Sequence, residues 1–146
     1  MTEYKKQEIE NLPILEEGQY YIYVLLNYPD GNIKIGRTSN LKQRIQSLSG
    51  SNGAGNQIID AFWSPPTYLY TAERACHEHF HYARIPNTEW FDGTKVSFDT
   101  VKNYLRGLFL SSSYQKCNQL RRQVFLKQKG EQNDEQSSGT MATISL

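Results

Sequence analysis

The segment from Tyr20 to Ile45, YYIYVLLNYPDGNIKIGRTSNLKQRI, constrains the fold more than any other part of the chain. It begins with β-branched and aromatic residues, which predict a buried strand at 20–26. The motif NYPDGN then predicts a turn, because proline presets one dihedral angle and glycine accepts a positive φ. A second apolar run predicts a return strand at 32–37, so the segment should form a β-hairpin.

A helix is predicted directly after the hairpin. Thr38 or Ser39 can cap its first turn. In NLKQRIQSLS the apolar residues Leu41, Ile45 and Leu48 recur at i, i+4 and i+7, so this face is expected to pack on the sheet.

Four further elements are predicted downstream. QIIDAFW predicts a third strand, and RIPNTEWFDG predicts a loop. TYLYTAERACHEHFHYA predicts a helix with an apolar stripe formed by Leu69, Ala72, Cys76 and Phe80. Ser97 or Asp99 should open another helix. The inward residues of that helix are expected to be Val101, Tyr104, Leu105 and Leu108.

These elements predict a small α/β (α+β) domain at 18–110, in which helices flank a short, three-stranded, mainly antiparallel sheet. The acidic segment 1–17 is expected to lie outside the core as a solvated arm or short helix. A basic helical extension is expected at 111–130, and a disordered tail at 131–146.

The composition limits the class of protein. The 146 residues suffice for one domain with a modest core, and the net charge of +1 argues against a uniformly basic nucleic-acid binder while permitting a local basic groove. Cys76 and Cys117 are far apart, which fits a reducing cytosol. The polar N-terminus does not resemble a signal peptide, and no apolar run is long enough for a membrane helix. We therefore expect a cytoplasmic protein that does not bind membranes.

Several polar side chains fall where the predicted elements can bring them together. Tyr21 and Tyr23 point to the same face of the first strand, and Lys34 lies opposite on the return strand. Arg44 lies one turn into the next helix, on a different face from its apolar stripe, and Glu73 lies on the second long helix.

A phenol, two cations and a carboxylate are suited to phosphodiester hydrolysis. A guanidinium such as that of Arg44 can bind the phosphate oxygens through two parallel donors. The carboxylate of Glu73 can hold one Mg²⁺, which prefers oxygen ligands. Tyr23 or Lys34 can accept a proton from water if its pKa is lowered.

The order of these residues resembles that of the GIY-YIG nuclease superfamily, in the phage and bacterial branch whose second motif reads Lys-Ile-Gly. YIYVL and IKIGRTSNLKQRI match the two opening motifs, TAERACHEHF matches the later helix, and NTEWF (Glu89, Trp90 and Phe91) matches the ending of this branch. The resemblance covers roughly residues 19–108. Two positions depart from the superfamily pattern: Tyr21 replaces a glycine, and Lys34 replaces the second tyrosine.

The resemblance implies a DNA endonuclease that uses one Mg²⁺ or Mn²⁺ ion. Tyr23 would be the general base or would orient water, Lys34 would assist it or hold phosphate, and Arg44 would stabilise the developing charge. Glu73 would bind the metal. The nearest match to a late active-site asparagine of the superfamily is Asn87.

Other predictions concern the neighbourhood of these residues. Arg37 and Lys42 are candidates for contacts with the DNA backbone. His77, one helical turn after Glu73, is a candidate for supporting that carboxylate or contacting phosphate. No second domain that would supply specificity is evident, so we expect the catalytic unit to depend on a partner protein or on self-association.

Two other functions are compatible with the sequence. In the first, the domain binds nucleic acid without cutting it. In the second, Glu73, His77 and His81, at i, i+4 and i+8, form a zinc site in a non-enzymatic interaction module. The absence of further nearby cysteines counts against the zinc site.

Overall fold

The hairpin lies at the centre of a four-stranded antiparallel sheet with the strand order β3-β1-β2-β4. The computed structural model describes residues 1–50 and 56–141, with side chains described for 1–49 and 56–130. The strands are β1 (Tyr21–Tyr28), β2 (Ile33–Thr38), β3 (Gln57–Trp63) and β4 (Trp90–Phe91). The helices are α1 (Glu3–Glu10), α2 (Leu41–Gly50), α3 (Thr71–His79), α4 (Phe98–Leu110) and α5 (Ser112–Met141).

The turn between β1 and β2 forms as its sequence predicts. Gly31 adopts a φ of 73°, which is unfavourable for residues with a side chain. Its N–H donates to the carbonyl of Asn27 at 3.0 Å, and the N–H of Asn27 donates to the carbonyl of Asn32 at 2.9 Å. The predicted hairpin is therefore confirmed, with β1 extending two residues beyond its expected end and β2 shifted by one residue.

The pairing of β1 with β2 places Tyr23 opposite Gly36 and Leu25 opposite Lys34. Lys34 is thus on the same face as Tyr23, but it lies two residues before Gly36, which is the direct partner of Tyr23. Lys34 was expected to lie opposite the tyrosines. It does share their face of the sheet, but its direct partner on β1 is Leu25.

Each face of the sheet has its own core. On one side, helices α3 and α4 cover a cluster that includes Ile22, Val24, Ile35, Cys76, Phe80, Val101 and Leu105. On the other side, helices α1 and α2 cover a cluster that includes Ile9, Tyr21, Tyr23, Leu25, Leu41, Ile58 and Ala61. Ile45 and Leu48 pack against this second cluster, so the predicted apolar face of α2 is confirmed.

The N-terminal segment does not lie outside the core, contrary to expectation. Helix α1 buries Ile9, which is 7% exposed and belongs to the second cluster. Two ion pairs attach the helix to the domain: Lys5 to Asp60 at 2.6 Å, and Glu10 to Lys42 at 2.8 Å. An arm that contributes a buried isoleucine is part of the fold.

Helix α2 is capped by a different residue from the two predicted. The Oδ1 atom of Asn40 accepts a hydrogen bond from the N–H of Gln43 at 3.1 Å. The hydroxyl of Thr38 instead accepts a hydrogen bond from the N–H of Asn40, at 3.1 Å. Asparagine is as favourable at this position as serine, and its side chain reaches the first turn directly.

The helix predicted from TYLYTAERACHEHFHYA is shorter than expected. Ala72, Cys76 and Phe80 are buried as predicted, whereas Leu69 is only half-buried and precedes α3. The helix ends at His79, and a 3₁₀ turn follows at His81–Ala83.

The loop predicted from RIPNTEWFDG contains the fourth strand, β4. Phe91 is fully buried among the residues under α3 and α4, and Trp90 packs against the second cluster. The three-stranded sheet of the sequence analysis therefore gains an edge strand. Asn87 is exposed and adopts a φ of 63°, so it serves the turn before this strand.

Helix α5 packs along the segment that leads into α3. The hydroxyl of Tyr114 donates to the carbonyl of Leu69 at 2.9 Å, and the Oδ1 atom of Asn118 accepts from the N–H of Tyr68 at 2.8 Å. The ring of Phe125 packs on that of Tyr68 and against Gly18.

Ion pairs also join α5 to the chain just before β1. Arg122 pairs with Glu16 and Lys129 with Glu17. Helix α5 continues to Met141, so residues 131–141 are helical where disorder was expected. Residues 142–146 of the expected disordered tail lie outside the described residues.

The outer strand β3 contains a bulge, because Leu26 pairs with Asp60 and Asn27 pairs with Ile58. Ile59 has no partner on β1, and Ile58 and Ala61 consequently face the same core although they are three residues apart. The N–H of Ile58 donates to Ser49 Oγ at 3.3 Å, and the N–H of Ala61 donates to Asp60 Oδ1 at 2.8 Å.

Candidate active site

The candidate site lies at the outer edge of β2. The pairing of β4 with β2 covers only the beginning of β2, at Ile33 and Lys34. Beyond this pairing, the N–H of Ile35 donates to the carbonyl of Glu89 at 3.4 Å. Among the described residues no strand pairs with 36–38 on that side. Side chains from both faces of the sheet can therefore meet there.

Tyr23 approaches this edge from the face covered by α2. Its side chain is 1% exposed, and its ring lies over Gly36. The pKa of the Tyr23 phenol is raised to about 12, mainly by burial. Arg44 opposes this rise, and the carboxylates of Glu89 and Glu73 add to it. The phenol is therefore protonated at neutral pH, within electrostatic range of the guanidinium and both carboxylates.

Lys34 is held between two partners. Its ammonium group forms an ion pair with Glu89 at 3.2 Å and lies 5.3 Å from the centre of the Trp90 ring. The residue is only 9% exposed. The carboxylate and the aromatic ring both attract the ammonium group and hold it at this position.

Glu73 approaches the same edge from the face covered by α3. Its Oε2 atom is buried and has no hydrogen-bond partner in the described part of the chain. Burial raises the pKa of the Glu73 carboxyl, and Arg37 and then His77 oppose this effect. A buried acceptor oxygen without a donor is costly unless something binds to it.

His77 lies one turn after Glu73 on α3. Its Nε2 atom is 2.9 Å from the carbonyl oxygen of Ile35. Because a carbonyl can only accept, Nε2 must carry a hydrogen, and Nδ1 is the acceptor nitrogen of the neutral ring. The ring also makes an edge contact with Phe91, with centroids 5.1 Å apart. The imidazole is thus held in one tautomer beside Glu73.

Two cavities flank the edge of β2. A cavity of about 320 Å³ on the α3 side is lined by residues that include Arg37, Tyr70, Glu73, Arg74, His77 and Arg84. A cavity of about 270 Å³ on the α2 side is lined by Thr38, Asn40, Gln43, Arg44 and Ser47. Arg37 and Thr38 are adjacent in the chain and line different cavities, since successive strand residues point to opposite faces. We call these the α3-side cavity and the α2-side cavity.

Arg37 is held in the α3-side cavity by aromatic rings. Its guanidinium carbon lies 4.1 Å from the centre of the Tyr70 ring and 5.5 Å from that of Tyr20. Sequence reasoning did not single out Tyr70, Arg74 or Arg84, which line the same cavity. Arg74 could have been found from the sequence because it is adjacent to Glu73. Tyr70 and Arg84 are brought to the cavity only by the tertiary fold.

Comparison with protein-family models finds the T5orf172 domain at residues 20–108, well over half of the chain. The chain belongs to the T5orf172 domain family. Comparison with curated proteins and with solved structures finds no match to either.

The matched T5orf172 region extends from the start of the hairpin into the last turns of α4, and it contains both cavities. T5orf172 domains are phage-associated and nuclease-like. No helix in the described ranges is long and apolar enough to cross a membrane.

Two further residues named in the sequence analysis, Tyr21 and Lys42, lie away from the cavities of this T5orf172 domain. Lys42 is engaged by Glu10 of α1 and lines neither cavity. The hydroxyl of Tyr21 points toward the carbonyl of Pro13 at 3.5 Å. Both residues therefore help to attach the N-terminal segment.

The histidines of the T5orf172 domain do not form the helical stripe that the zinc interpretation requires. The helix ends at His79, and His81 begins the 3₁₀ turn. The ring of His79 stacks on Tyr104, with centroids 4.2 Å apart. Within the described residues, no three His, Cys, Asp or Glu side chains are grouped so that they can hold a metal ion. The unpartnered Oε2 of Glu73 fits instead a hydrated divalent cation that takes one protein ligand.

Proposed function

We propose that this T5orf172 domain is a metal-dependent DNA endonuclease of the GIY-YIG type, which hydrolyses phosphodiester bonds. One observation carries the proposal. Tyr23 and Glu73 come from opposite faces of the sheet, yet the carboxylate of Glu73 is close enough to raise the pKa of the Tyr23 phenol, at the edge where β2 is unpaired. Arg44 and Glu89 act on the same phenol.

Arg44 is the residue that holds the phosphate undergoing cleavage. It lines the α2-side cavity together with the polar side chains of Thr38, Asn40, Gln43 and Ser47. No ion pair engages its guanidinium in the described part of the chain, so its donors can bind phosphate oxygens. Its positive charge stabilises the additional negative charge of the transition state, an effect commonly worth about 10²- to 10³-fold in rate.

Glu73 is the residue that would hold Mg²⁺ or Mn²⁺. When bound, the ion would supply a positive charge that neutralises the leaving oxygen. Its Oε2 atom is buried and has no protein donor within the described residues, and the charges of Arg37 and His77 act on the carboxylate.

Tyr23 acts as a hydrogen-bond donor and not as a phenolate base. With a pKa of about 12 it keeps its proton at neutral pH. Its hydroxyl can orient water or a phosphate oxygen. Lys34, paired with Glu89, holds phosphate as a cation. The sequence left Tyr23 and Lys34 as alternative bases, and we assign the role of base to neither.

His77 offers the acceptor that both residues lack. Because Nε2–H is bound to the carbonyl of Ile35, a proton from the attacking water would go to Nδ1. The resulting hydroxide attacks phosphorus, the bond to the leaving oxygen breaks, and that oxygen takes a proton from solvent.

A cleavage assay on supercoiled, linear and branched DNA with Mg²⁺ or Mn²⁺ tests the proposal. Wild-type protein should cut, while Tyr23→Phe, Arg44→Ala and Glu73→Gln should each lose at least about 10²-fold in rate. Glu73→Gln should still bind the DNA. If wild-type protein binds DNA and cuts none of these substrates, the domain is a binding module and the endonuclease proposal is wrong.

A further inference from the structure

We propose that the α3-side cavity is a second phosphate subsite, which holds a nucleic-acid phosphate next to the one bound at Arg44. The inference rests on the proposed function, in which Arg44 holds the phosphate undergoing cleavage. It gives Arg37 and Arg84 the role of holding the strand in the cavity that Glu73 and His77 also line.

Arg37 is oriented before any ligand binds. Its guanidinium lies against the rings of Tyr70 and Tyr20 and takes part in no ion pair within the described residues. Stacking uses the face of the guanidinium and leaves its in-plane N–H donors available. These donors have the fork geometry that matches two oxygens of a phosphate.

Arg84 is oriented by a different contact. Its Nε–H donates to the carbonyl of Thr88 at 2.8 Å, so its two terminal nitrogens are left to bind a ligand. Arg84 lines the same cavity as Arg37, and Arg74 adds a third guanidinium. Two guanidiniums fixed by separate contacts around one cavity lose little conformational entropy when they bind an anion.

The charges of the cavity favour an anionic ligand. The three arginines are accompanied by two carboxylates, those of Glu73 and Glu89. Glu89 is already paired with Lys34, so the cavity carries an excess of positive charge.

The position of the cavity indicates which anion it takes. Arg37 lines this cavity, whereas the next residue, Thr38, lines the α2-side cavity that contains Arg44. A nucleic-acid strand that crosses the edge of β2 would present successive phosphates to the two cavities.

The salt dependence of DNA binding tests this assignment directly. The probe is a mixed-sequence 20-base-pair duplex, measured by fluorescence anisotropy in EDTA over a range of salt concentrations. Loss of one phosphate contact reduces the slope of log K against log salt by about 0.9. We expect about this reduction for Arg37→Gln and for Arg84→Gln. Both side chains are exposed, and thermal unfolding checks that the variants fold as the parent does.

Arg106→Gln is the matched control. Its guanidinium also lies over an aromatic ring, 5.6 Å from the centre of Phe62, but it does not line the cavity. This variant should keep the parent slope. Tyr70→Leu keeps the charge of Arg37 and removes the ring that orients it, so the slope should stay unchanged while binding weakens by about threefold to tenfold.

The outcomes separate this inference from the proposed function. Parent slopes in both Arg37→Gln and Arg84→Gln would overturn the subsite, even if the protein cuts DNA. Reduced slopes in these variants, with the parent slope in Arg106→Gln, support the subsite, even if no cleavage is observed with Mg²⁺.

Discussion

The hydroxyl of Tyr23 occupies the space that a side chain at Gly36 would need. A Cβ atom at position 36 would lie 2.6 Å from that hydroxyl oxygen and 2.8 Å from Cζ of the ring. The two residues are direct partners across β1 and β2. The glycine of the Lys-Ile-Gly motif therefore sets the position of the phenol.

Replacement of Gly36 by alanine should displace the ring of Tyr23. We expect a loss of about 1–3 kcal/mol in unfolding free energy, because the ring is buried and cannot move freely, together with a loss of cleavage. Urea denaturation and the plasmid assay measure the two effects. Gly107→Ala is the control: this exposed glycine of α4 has open space around it, and alanine there should stabilise the protein by about 0.4–1 kcal/mol. Equal effects of the two substitutions would contradict the steric argument.

The pKa of Tyr23 predicts how stability changes at alkaline pH. Its value in the folded protein is about 12, against 10.0 for an unperturbed tyrosine. Below pH 10 both states are protonated and the contribution is fully present. Between pH 10 and 12 only the unfolded chain loses the proton, so stability falls with rising pH, by at most about 1.4 kcal/mol per unit.

Tyr23→Phe should remove this part of the alkaline loss. Urea unfolding of the variant and the parent across pH 9 to 12 measures the difference. Tyr20, whose pKa is also raised to about 12, leaves a residual slope in both proteins. If the two proteins lose stability in parallel, Tyr23 is not the buried phenol that we describe.

Glu73→Gln should abolish cleavage without destabilising the protein at neutral pH. The pKa of this carboxyl is raised, so its favourable contribution is present below the unfolded value of 4.5 and is lost as pH rises through the folded value. The stability of the variant relative to the parent should therefore be greater at pH 7 than at pH 4. Thermal unfolding at both pH values measures this.

The same variant tests the metal site. Millimolar Mn²⁺ should raise the unfolding temperature of the parent, because a ligand that binds only the folded state stabilises it. It should not raise that of Glu73→Gln. Glu78→Gln, at an exposed position on α3, should respond as the parent does. A shift that persists in Glu73→Gln would place the metal elsewhere.

Helix α1 should contribute measurably to stability. Ile9→Ala is expected to lower the unfolding free energy by about 2–4 kcal/mol, because it leaves a cavity against α2 and β3. Ile14 has the same side chain and is 99% exposed, so Ile14→Ala should change the free energy by less than about 0.5 kcal/mol. Denaturant unfolding of the two variants compares them directly. Similar values would mean that α1 is not packed in solution.

The hairpin and α2 could be predicted because their signals are local. Gly31 is required by the turn, and Leu41, Ile45 and Leu48 repeat with the helical period. The same is true of Ser97, whose side chain caps α4 by accepting from the N–H of Thr100. In each case a short stretch of sequence contains the whole cause.

Features that depend on distant partners were missed. Strand β4 consists of only Trp90 and Phe91, and its extended form depends on pairing with β2. Ile9 lies in a polar stretch, and only the groove beside α2 makes it a core residue. Arg84 reaches the α3-side cavity through the turn that Thr88 stabilises. Neither hydrophobic periodicity nor a local sequence motif predicts contacts between residues that are distant in the chain.

The bulge at Ile59 has a consequence for how copies of this chain can associate. Outer strands with free N–H groups invite pairing with a second sheet. In β3, the N–H groups of Ile58 and Ala61 are already bonded to Ser49 and Asp60, and Lys5 pairs with Asp60 at the same place. A continuous intermolecular sheet through this strand would have to break all three contacts, so the bulge and its polar neighbours protect the domain against aggregation.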